Sequence, residues 1–225
     1  MTKNIKMAGP VRNRRGFIQA ASGFLFALLL ITIAAPQAHA SALGVDSPPA
    51  IFIKKMGDTA LMSLTGKDIT MRDREARVRT LLQANFDLTT IGRFALGPHW
   101  RTATAAQKTE YLDLFEDMIV KTYAQRFGEY SGQSFNVAGA LKASDTDFIV
   151  SSQILQNGGP PVNVEWRVRQ KNGQMKVIDV IVESISMSVT QRSDFSAVIQ
   201  RNGGSIAALI DSLRLRKNGA IAEKD

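Results

Sequence analysis

The sequence predicts an α+β fold in which a curved antiparallel sheet of about four strands packs against helices. Two observations lead to this class. Apolar residues recur at helical spacing from residue 47 to about residue 130, and from Gln133 they alternate with polar residues at a period of two. Helices followed by strands, rather than alternating with them, are typical of α+β proteins. The 225 residues include no cysteine, so disulfides, thiol nucleophiles and iron–sulfur clusters are excluded.

The first 40 residues are predicted to be a cleaved export signal. Residues 1–15 contain five basic residues and no acidic residue, and an apolar run from Ala20 to Ala35 follows them. Ala38-His39-Ala40 then has the small-x-small form of a processing site. Arg14 and Arg15 stand just before Phe17, which is the twin-arginine pattern. The apolar run is shorter than the roughly 20 residues that span a bilayer, so cleavage is favoured over an uncleaved anchor.

The basic character of the chain belongs largely to this signal. Cleavage removes five of the 28 basic residues and none of the 20 acidic residues, which leaves 23 against 20. A nearly balanced exported domain gives no electrostatic argument for binding nucleic acid. We expect a single domain over residues 41–217 and a disordered tail over residues 218–225.

Helices are predicted in the first half of the exported chain from their capping residues. Asp87 is placed to cap a short helix that Gly97-Pro98 ends, and Thr104 to Gln107 forms a capping box at the start of the longest helix. Ser47, followed by two prolines, is a further entry signal. The predicted helices run from Ser47 to Gly66, Thr70 to Phe86, Asp87 to Leu96 and Thr104 to about Tyr130.

Strands are predicted from the alternating residues that follow. Asn157 to Pro161 and the dipeptide Asn172-Gly173 supply turns, and the latter tolerates positive φ at both positions. Two more helices are expected at the end, one from near Ser193 and one capped by Ser205. The predicted strands lie around Phe135 to Val137, Phe148 to Ile154, Val162 to Val168 and Met175 to Val189, of which the last is apolar on both faces.

The chain contains few residues that could perform catalysis. After cleavage His99 is the single histidine, so a multi-histidine metal site is excluded and no cofactor is expected. Asp179 interrupts an apolar strand, where an ionised carboxylate requires a partner such as Arg192 or backbone donors. A structural role is the preferred interpretation of both His99 and Asp179. Asp145 and Asp147 flank a turn and are expected to be solvated.

Two blocks of sequence resemble the MlaC (toluene-tolerance, auxiliary substrate-binding) family. The first, Phe86 to Arg101, reads FDLTTIGRFALGPHWR, and the second, Val177 to Ser186, reads VIDVIVESIS and is followed by QRSDF at Gln191 to Phe195. The family usually has glycine at the position of Ser184, a departure that we expect to affect packing.

The resemblance implies a fold and a function. The fold would be similar to the NTF2-like cone with extra N-terminal helices. The protein would be a periplasmic carrier without enzymatic activity, shuttling phospholipid between an outer-membrane lipoprotein complex and an inner-membrane ABC transporter complex with its MCE-domain subunit. Acyl chains would lie in an apolar cavity between the sheet and the helices.

Helical phase and strand alternation, taken with this resemblance, give a set of candidate cavity residues. Arg93, Arg101 and Arg192 are candidates for contact with the lipid head group or for docking of partners. The expected cavity lining consists of Phe94, Trp100, Phe115, Ile119, Tyr123, Phe148, Val150, Val164, Trp166 and Val180.

Two alternatives remain at this stage. The cargo could be a hopanoid or another isoprenoid, because a branch of the family is associated with hopanoid biosynthesis. The cone-like fold could also hold an enzyme that uses His99 or Asp179, as other NTF2-like proteins do.

Overall fold

Six antiparallel strands form one sheet in the computed structural model, which describes residues 42–66 and 68–218. The strands follow one another in chain order across the sheet, and helices precede and follow them, so the predicted α+β class is confirmed. The predicted export signal and residues 219–225 lie outside the described residues. The strands are β1 (Ala42–Leu43), β2 (Ser134–Lys142), β3 (Asp147–Leu155), β4 (Val162–Lys171), β5 (Gln174–Val182) and β6 (Ile185–Ser186). The helices of the described part are α1 (Pro48–Leu64), α2 (Met71–Asn85), α3 (Leu88–Leu96), α4 (His99–Thr102), α5 (Ala105–Gly128), α6 (Met187–Arg201) and α7 (Ile206–Lys217).

The sheet contains two irregularities that bend it. Ala138 is an extra residue in β2 opposite β3, and Ile178 is an extra residue in β5 opposite β4. Such bulges increase the local twist and bend the strand that carries them. The predicted turn between β4 and β5 is confirmed, because Asn172 and Gly173 have φ values of 51° and 75°.

The predicted capping residues begin the helices as expected at three places. Asp87 accepts a hydrogen bond from the backbone N–H of Thr90 at 2.9 Å, and Thr104 and Gln107 form both bonds of the capping box. Ser205 likewise accepts from Ala208. Ser47 is different: it precedes α1, but its hydroxyl donates to the carbonyl of Gly44 at 2.7 Å rather than capping the helix.

The predicted strand from Met175 to Val189 is wrong at its end. Strand β5 stops at Val182, and α6 begins at Met187 rather than near Ser193. Glu183 and Ser184 reverse the chain with φ values of 46° and 66°. The hydroxyl of Ser186 then accepts from the N–H of Val189 and begins the helix.

The apolar interior is divided into three clusters of buried side chains. The first lies among α3, α5, α6 and α7, the second between α1 and the sheet, and the third among α1, α2 and α5. Leu81 of α2 and Phe86, the residue after α2, pack against both the second and the third cluster. Ile119 of α5 packs against both the first and the third. The clusters therefore meet at side chains that are only half-buried.

Helices α2, α5 and α7 are joined by a network of ion pairs. Arg79 binds Glu116 and Asp117 at 2.6 Å each, and Lys217 binds the second carboxylate oxygen of Asp117 at 2.6 Å. Burial acts to raise the pKa of Asp117, but hydrogen bonds from Lys217 and Arg79 outweigh it and lower that pKa below its ordinary value. The network fixes the position of the long helix.

The conformation of Ser184 generates a stability prediction. A residue with a Cβ pays about 1 kcal/mol for the left-handed region, which glycine does not. The departure from the family's glycine therefore concerns the backbone and not packing. We expect Ser184→Gly to raise the free energy of unfolding by roughly 0.5–1 kcal/mol, measured by urea denaturation. The matched control is Ser193→Gly within α6, which should lower stability by about 0.5 kcal/mol. Equal losses in both variants would contradict this interpretation.

Candidate functional site

One face of the sheet carries a continuous apolar surface. Val150 lies directly opposite Trp166, and Trp166 lies directly opposite Val180, so the three side chains form a row across β3, β4 and β5. A second row on the same face contains Phe148, which lies two residues before Val150 on β3 and also pairs with β4. The structure therefore places the strand residues of the candidate lining on one face of the sheet, on which α1 packs.

The indole of Trp166 is held in a fixed orientation on this face. Its Nε1–H donates to the hydroxyl of Ser152 at 2.8 Å, and that hydroxyl donates to the carbonyl of Val164 at 2.9 Å. The ring also meets the ring of Phe135 edge to face, with centroids 6.1 Å apart. Ser152 was not among the predicted site residues, although an alternating serine on an apolar strand face is a signal for such a bond.

Helix α5 presents Ile119 and Tyr123 to the interior. Both side chains are half-buried and pack against the cluster formed with α1 and α2. Burial raises the pKa of Tyr123, yet its hydroxyl makes no hydrogen bond to the residues that the structure describes. A deeply placed phenol usually has a partner. Its oxygen retains accessible surface, so solvent can supply a partner.

Three of the predicted lining residues are closed off by neighbouring protein atoms. Phe115 is 1% exposed, and its ring centroid lies 5.9 Å from that of Tyr111 and 6.2 Å from that of Phe195. Val150 and Val164 are also fully or almost fully buried. In the structure these three side chains have little or no accessible surface, because other side chains of the protein cover them.

Phe94 and Trp100 lie in a different place from the strand residues. They line a pocket of about 440 Å³ between α3 and α4, together with Arg93 and Arg101. Arg192 of α6 stacks over the ring of Phe94 at 5.3 Å. The structure thus brings the three predicted arginines together with two aromatic residues.

A second pocket of about 460 Å³ is polar and lies where the β4–β5 hairpin meets α2 and α3. One of its residues, Arg169, forms two hydrogen bonds of 2.7 Å with Asp147. Asp147 is 8% exposed, so the prediction that it is solvated is wrong, whereas Asp145 is exposed as expected. The bond from Arg169 lowers the pKa of Asp147 and more than offsets its burial.

The two candidate catalytic residues have structural surroundings. Asp179 accepts hydrogen bonds from the backbone N–H groups of Val180 and Ser188 at 2.9 and 3.1 Å, and from the hydroxyl of Ser186 at 2.6 Å. Two backbone N–H groups and the Ser186 hydroxyl, and not Arg192, are therefore its partners, and Asp179 joins β5 to the start of α6. The imidazole of His99 makes no hydrogen bond within the described part of the chain.

A family model described as MlaC protein matches residues 54–215. The chain belongs to the MlaC family. The predicted resemblance is confirmed, and the family's curved sheet with helices is the architecture described above.

Individual MlaC relatives extend this comparison. The chain is 22% identical over 166 residues to the intermembrane phospholipid transport system binding protein MlaC of Haemophilus influenzae, covering 70% of this chain and 78% of that protein. It is 27% identical over 111 residues to the toluene tolerance protein ttg2D of Pseudomonas putida, covering 49% of this chain and 52% of that protein. Among solved structures, the phospholipid-binding protein of Ralstonia solanacearum, in complex with a phospholipid, has a TM-score of 0.65 and 25% identity, covering 75% of this chain and 96% of that chain.

The Haemophilus influenzae and Ralstonia solanacearum proteins are named for phospholipid transport and phospholipid binding. Within residues 42–66 and 68–218, the helices are too short or too polar to cross a bilayer.

The Trp166–Ser152 bond predicts the effect of removing one hydroxyl. Ser152→Ala leaves the indole N–H without its protein acceptor, so we expect the free energy of unfolding to fall by about 1–2 kcal/mol. Ser151→Ala is the matched control, because Ser151 directly precedes Ser152 on β3 and faces the other side of the sheet. Tryptophan emission should shift in Ser152→Ala alone. Equal stability of the two variants would show that the bond is unimportant.

The Asp147–Arg169 pair predicts a pH-dependent contribution to stability. Because the pKa of Asp147 is lowered in the folded protein, the contribution is present above the ordinary value of about 3.9 and is lost as the pH falls through the lowered pKa. Arg169→Gln should cost about 1 kcal/mol near pH 7, since Arg169 is partly exposed, and progressively less below pH 4.

The control for this pair is Lys171→Gln, which removes the same charge from the end of β4 without breaking an ion pair of the described part. Urea denaturation at several pH values provides the measurement. A difference between wild type and Arg169→Gln that stays constant with pH would contradict the assignment.

Proposed function

We propose that this protein is a periplasmic carrier that holds the acyl chains of a phospholipid between the apolar face of the sheet and α5. Through this carriage, lipid passes between an outer-membrane lipoprotein complex and the MCE-domain subunit of an inner-membrane ABC transporter complex. The observation that carries the proposal is the similarity to a protein solved with a phospholipid, over 96% of that protein's length. The hopanoid alternative has no such observation in its favour.

The physical requirement for such a carrier is shielding from water. Each methylene withdrawn from water is worth about 0.8 kcal/mol, so exposing one sixteen-carbon chain costs roughly 13 kcal/mol. Moving an acyl chain from a bilayer into a pocket that is equally apolar leaves this free energy almost unchanged. The carrier then needs no catalytic group of its own, and the direction of transport is set by its partners.

The proposed cavity lies where the apolar clusters meet. The face of the sheet supplies Trp166 and Val180, and α5 supplies Ile119 and Tyr123, all of them half-buried rather than closed off. Helix α5 packs chiefly on α2 and α7, whereas α1 and α6 rest on the sheet near its two sides. We place the acyl chains in the interior between α5 and the middle of the sheet, with Phe148 at one margin.

The proposed location follows from the sequence. The apolar run with its twin arginines and the Ala38-His39-Ala40 site support export through the Tat route and cleavage after Ala40. A lipid carrier between two membranes must be released into the space that separates them, and cleavage of the signal provides that release.

Native mass spectrometry of the protein purified from the periplasm tests the proposal. We expect a co-purified phospholipid, identified after extraction. Val180→Glu and Ile119→Glu should each lower the lipid-bound fraction more than tenfold, because a carboxylate next to acyl chains loses its hydration. Val180→Phe fills space without adding charge and should also lower that fraction.

The matched control is Ile181→Phe, at the neighbouring position on the opposite face of β5. Thermal unfolding shows whether each variant is folded. A lipid-free wild-type protein would contradict the proposal, and so would equal lipid content in Val180→Phe and Ile181→Phe. Extraction of an isoprenoid would contradict the assignment of the cargo.

A further inference from the structure

The segment from the start of α3 to the first turns of α5 is basic and has no acidic residue. Residues 88–109 contain Arg93, Arg101 and Lys108, and the nearest carboxylates along the chain are Asp87 and Glu110. Glu110 is occupied by Arg214, at 2.5 Å. In the described part, the three cations form no ion pair, unlike the arginines of the networks described above.

The fold adds a fourth cation, Arg192, and three of the four cations lie over two aromatic rings, whereas Arg101 lines the pocket beside them. We call this set the basic aromatic patch; it consists of Arg93, Phe94, Trp100, Arg101, Lys108 and Arg192. Arg93 and Lys108 lie over the ring of Trp100 at 5.4 and 5.5 Å, and Arg192 lies over the ring of Phe94 at 5.3 Å. A guanidinium that stacks on a ring keeps its N–H edges available to donate hydrogen bonds to an anion of another molecule.

The patch is also apolar at its surface. Phe94 is 43% exposed, and Val189, one helical turn before Arg192 on α6, is 56% exposed. The acidic residue of α6 nearest to Arg192 is Asp194, which lies about 200° around the helix axis from it. The concave part between α3 and α4 has a volume of about 440 Å³.

We propose that the basic aromatic patch docks this protein on the surface of an anionic lipid bilayer. Exposed aromatic and aliphatic side chains beside lysine and arginine are the composition of interfacial membrane-binding surfaces. A patch of one sign suits a surface of uniformly negative potential, whereas a protein partner usually presents both signs. The inference extends the proposed function, on which its role in lipid uptake and delivery rests, but docking can be measured separately.

Vesicle flotation with the wild-type protein tests this docking. Vesicles of phosphatidylcholine with added phosphatidylglycerol should carry the protein upward at low salt, and vesicles of phosphatidylcholine alone should not. Added salt should weaken binding by screening. Arg93→Gln combined with Arg101→Gln should lower the partition coefficient about 30-fold, because each cation near an anionic surface contributes about fivefold. Phe94→Gln should lower it further.

The matched control combines Lys55→Gln with Arg72→Gln. These exposed cations of α1 and α2 form no ion pair in the described part, so the control removes the same charge from a different surface. Retained binding in the control and loss in the patch variant supports the proposal. Absence of wild-type binding to anionic vesicles overturns the proposal, and so does an equal loss of binding in both double variants. A wild-type protein that binds an acidic protein but no anionic vesicle also overturns it.

Lipid content separates this proposal from the proposed function. Native mass spectrometry of the wild-type protein measures bound lipid independently of flotation, and the patch lies apart from Trp166 and Val180. A wild-type protein that floats with anionic vesicles but contains no lipid refutes the carrier and leaves the docking surface. A lipid-loaded protein that never floats refutes the docking surface alone.

Discussion

The arrangement of the helices depends on one constraint, the need to cover the apolar face of a curved sheet. Helix α1 covers the β2–β3 side, where Gly57 permits a close approach: an added Cβ would lie 2.5 Å from the ring of Phe135. Helices α3 and α6 cover the β5 side. The long helix α5 instead packs on α2 and α7, so the middle of the face is bordered by half-buried side chains from three clusters. In our proposal, an acyl chain occupies this part of the interior and replaces some of these protein contacts.

Polar contacts hold the helices in place around that interior. The paired Asp117 fixes α5 between α2 and α7, and Asp179 joins β5 to α6. Arg74 is buried, and it donates to the carbonyls of Leu64 and Gly66 at the end of α1. Such bonds satisfy groups that a helix end leaves unpaired. Because they are directional and lie at the margins, they can preserve the framework when the apolar contents of the centre change.

Much of the framework could be predicted from the sequence, because capping residues and alternation act locally. The Thr104 capping box and the Asn172-Gly173 turn are examples. The boundary between β5 and α6 could not be placed, since apolar residues continue at the spacing of a strand through Ile185, Met187 and Val189, and Ser184 hides a turn that glycine would have signalled. Residue placement in three dimensions was harder still. Phe94 was assigned to the cavity from its helical phase, yet its ring stacks with Arg192 from a helix about a hundred residues away, a contact that no local pattern contains.

The central claim is that acyl chains lie between α5 and the face of β4 and β5. Photo-crosslinking with a phospholipid that carries a diazirine at the end of one acyl chain, followed by peptide mapping, tests it most directly. The account predicts labelling of residues near Ile119 and Tyr123 and of residues near Trp166 and Val180, competed by unlabelled phospholipid. Labelling confined to the α3–α4 pocket, or spread over the outer face of the sheet, would contradict it.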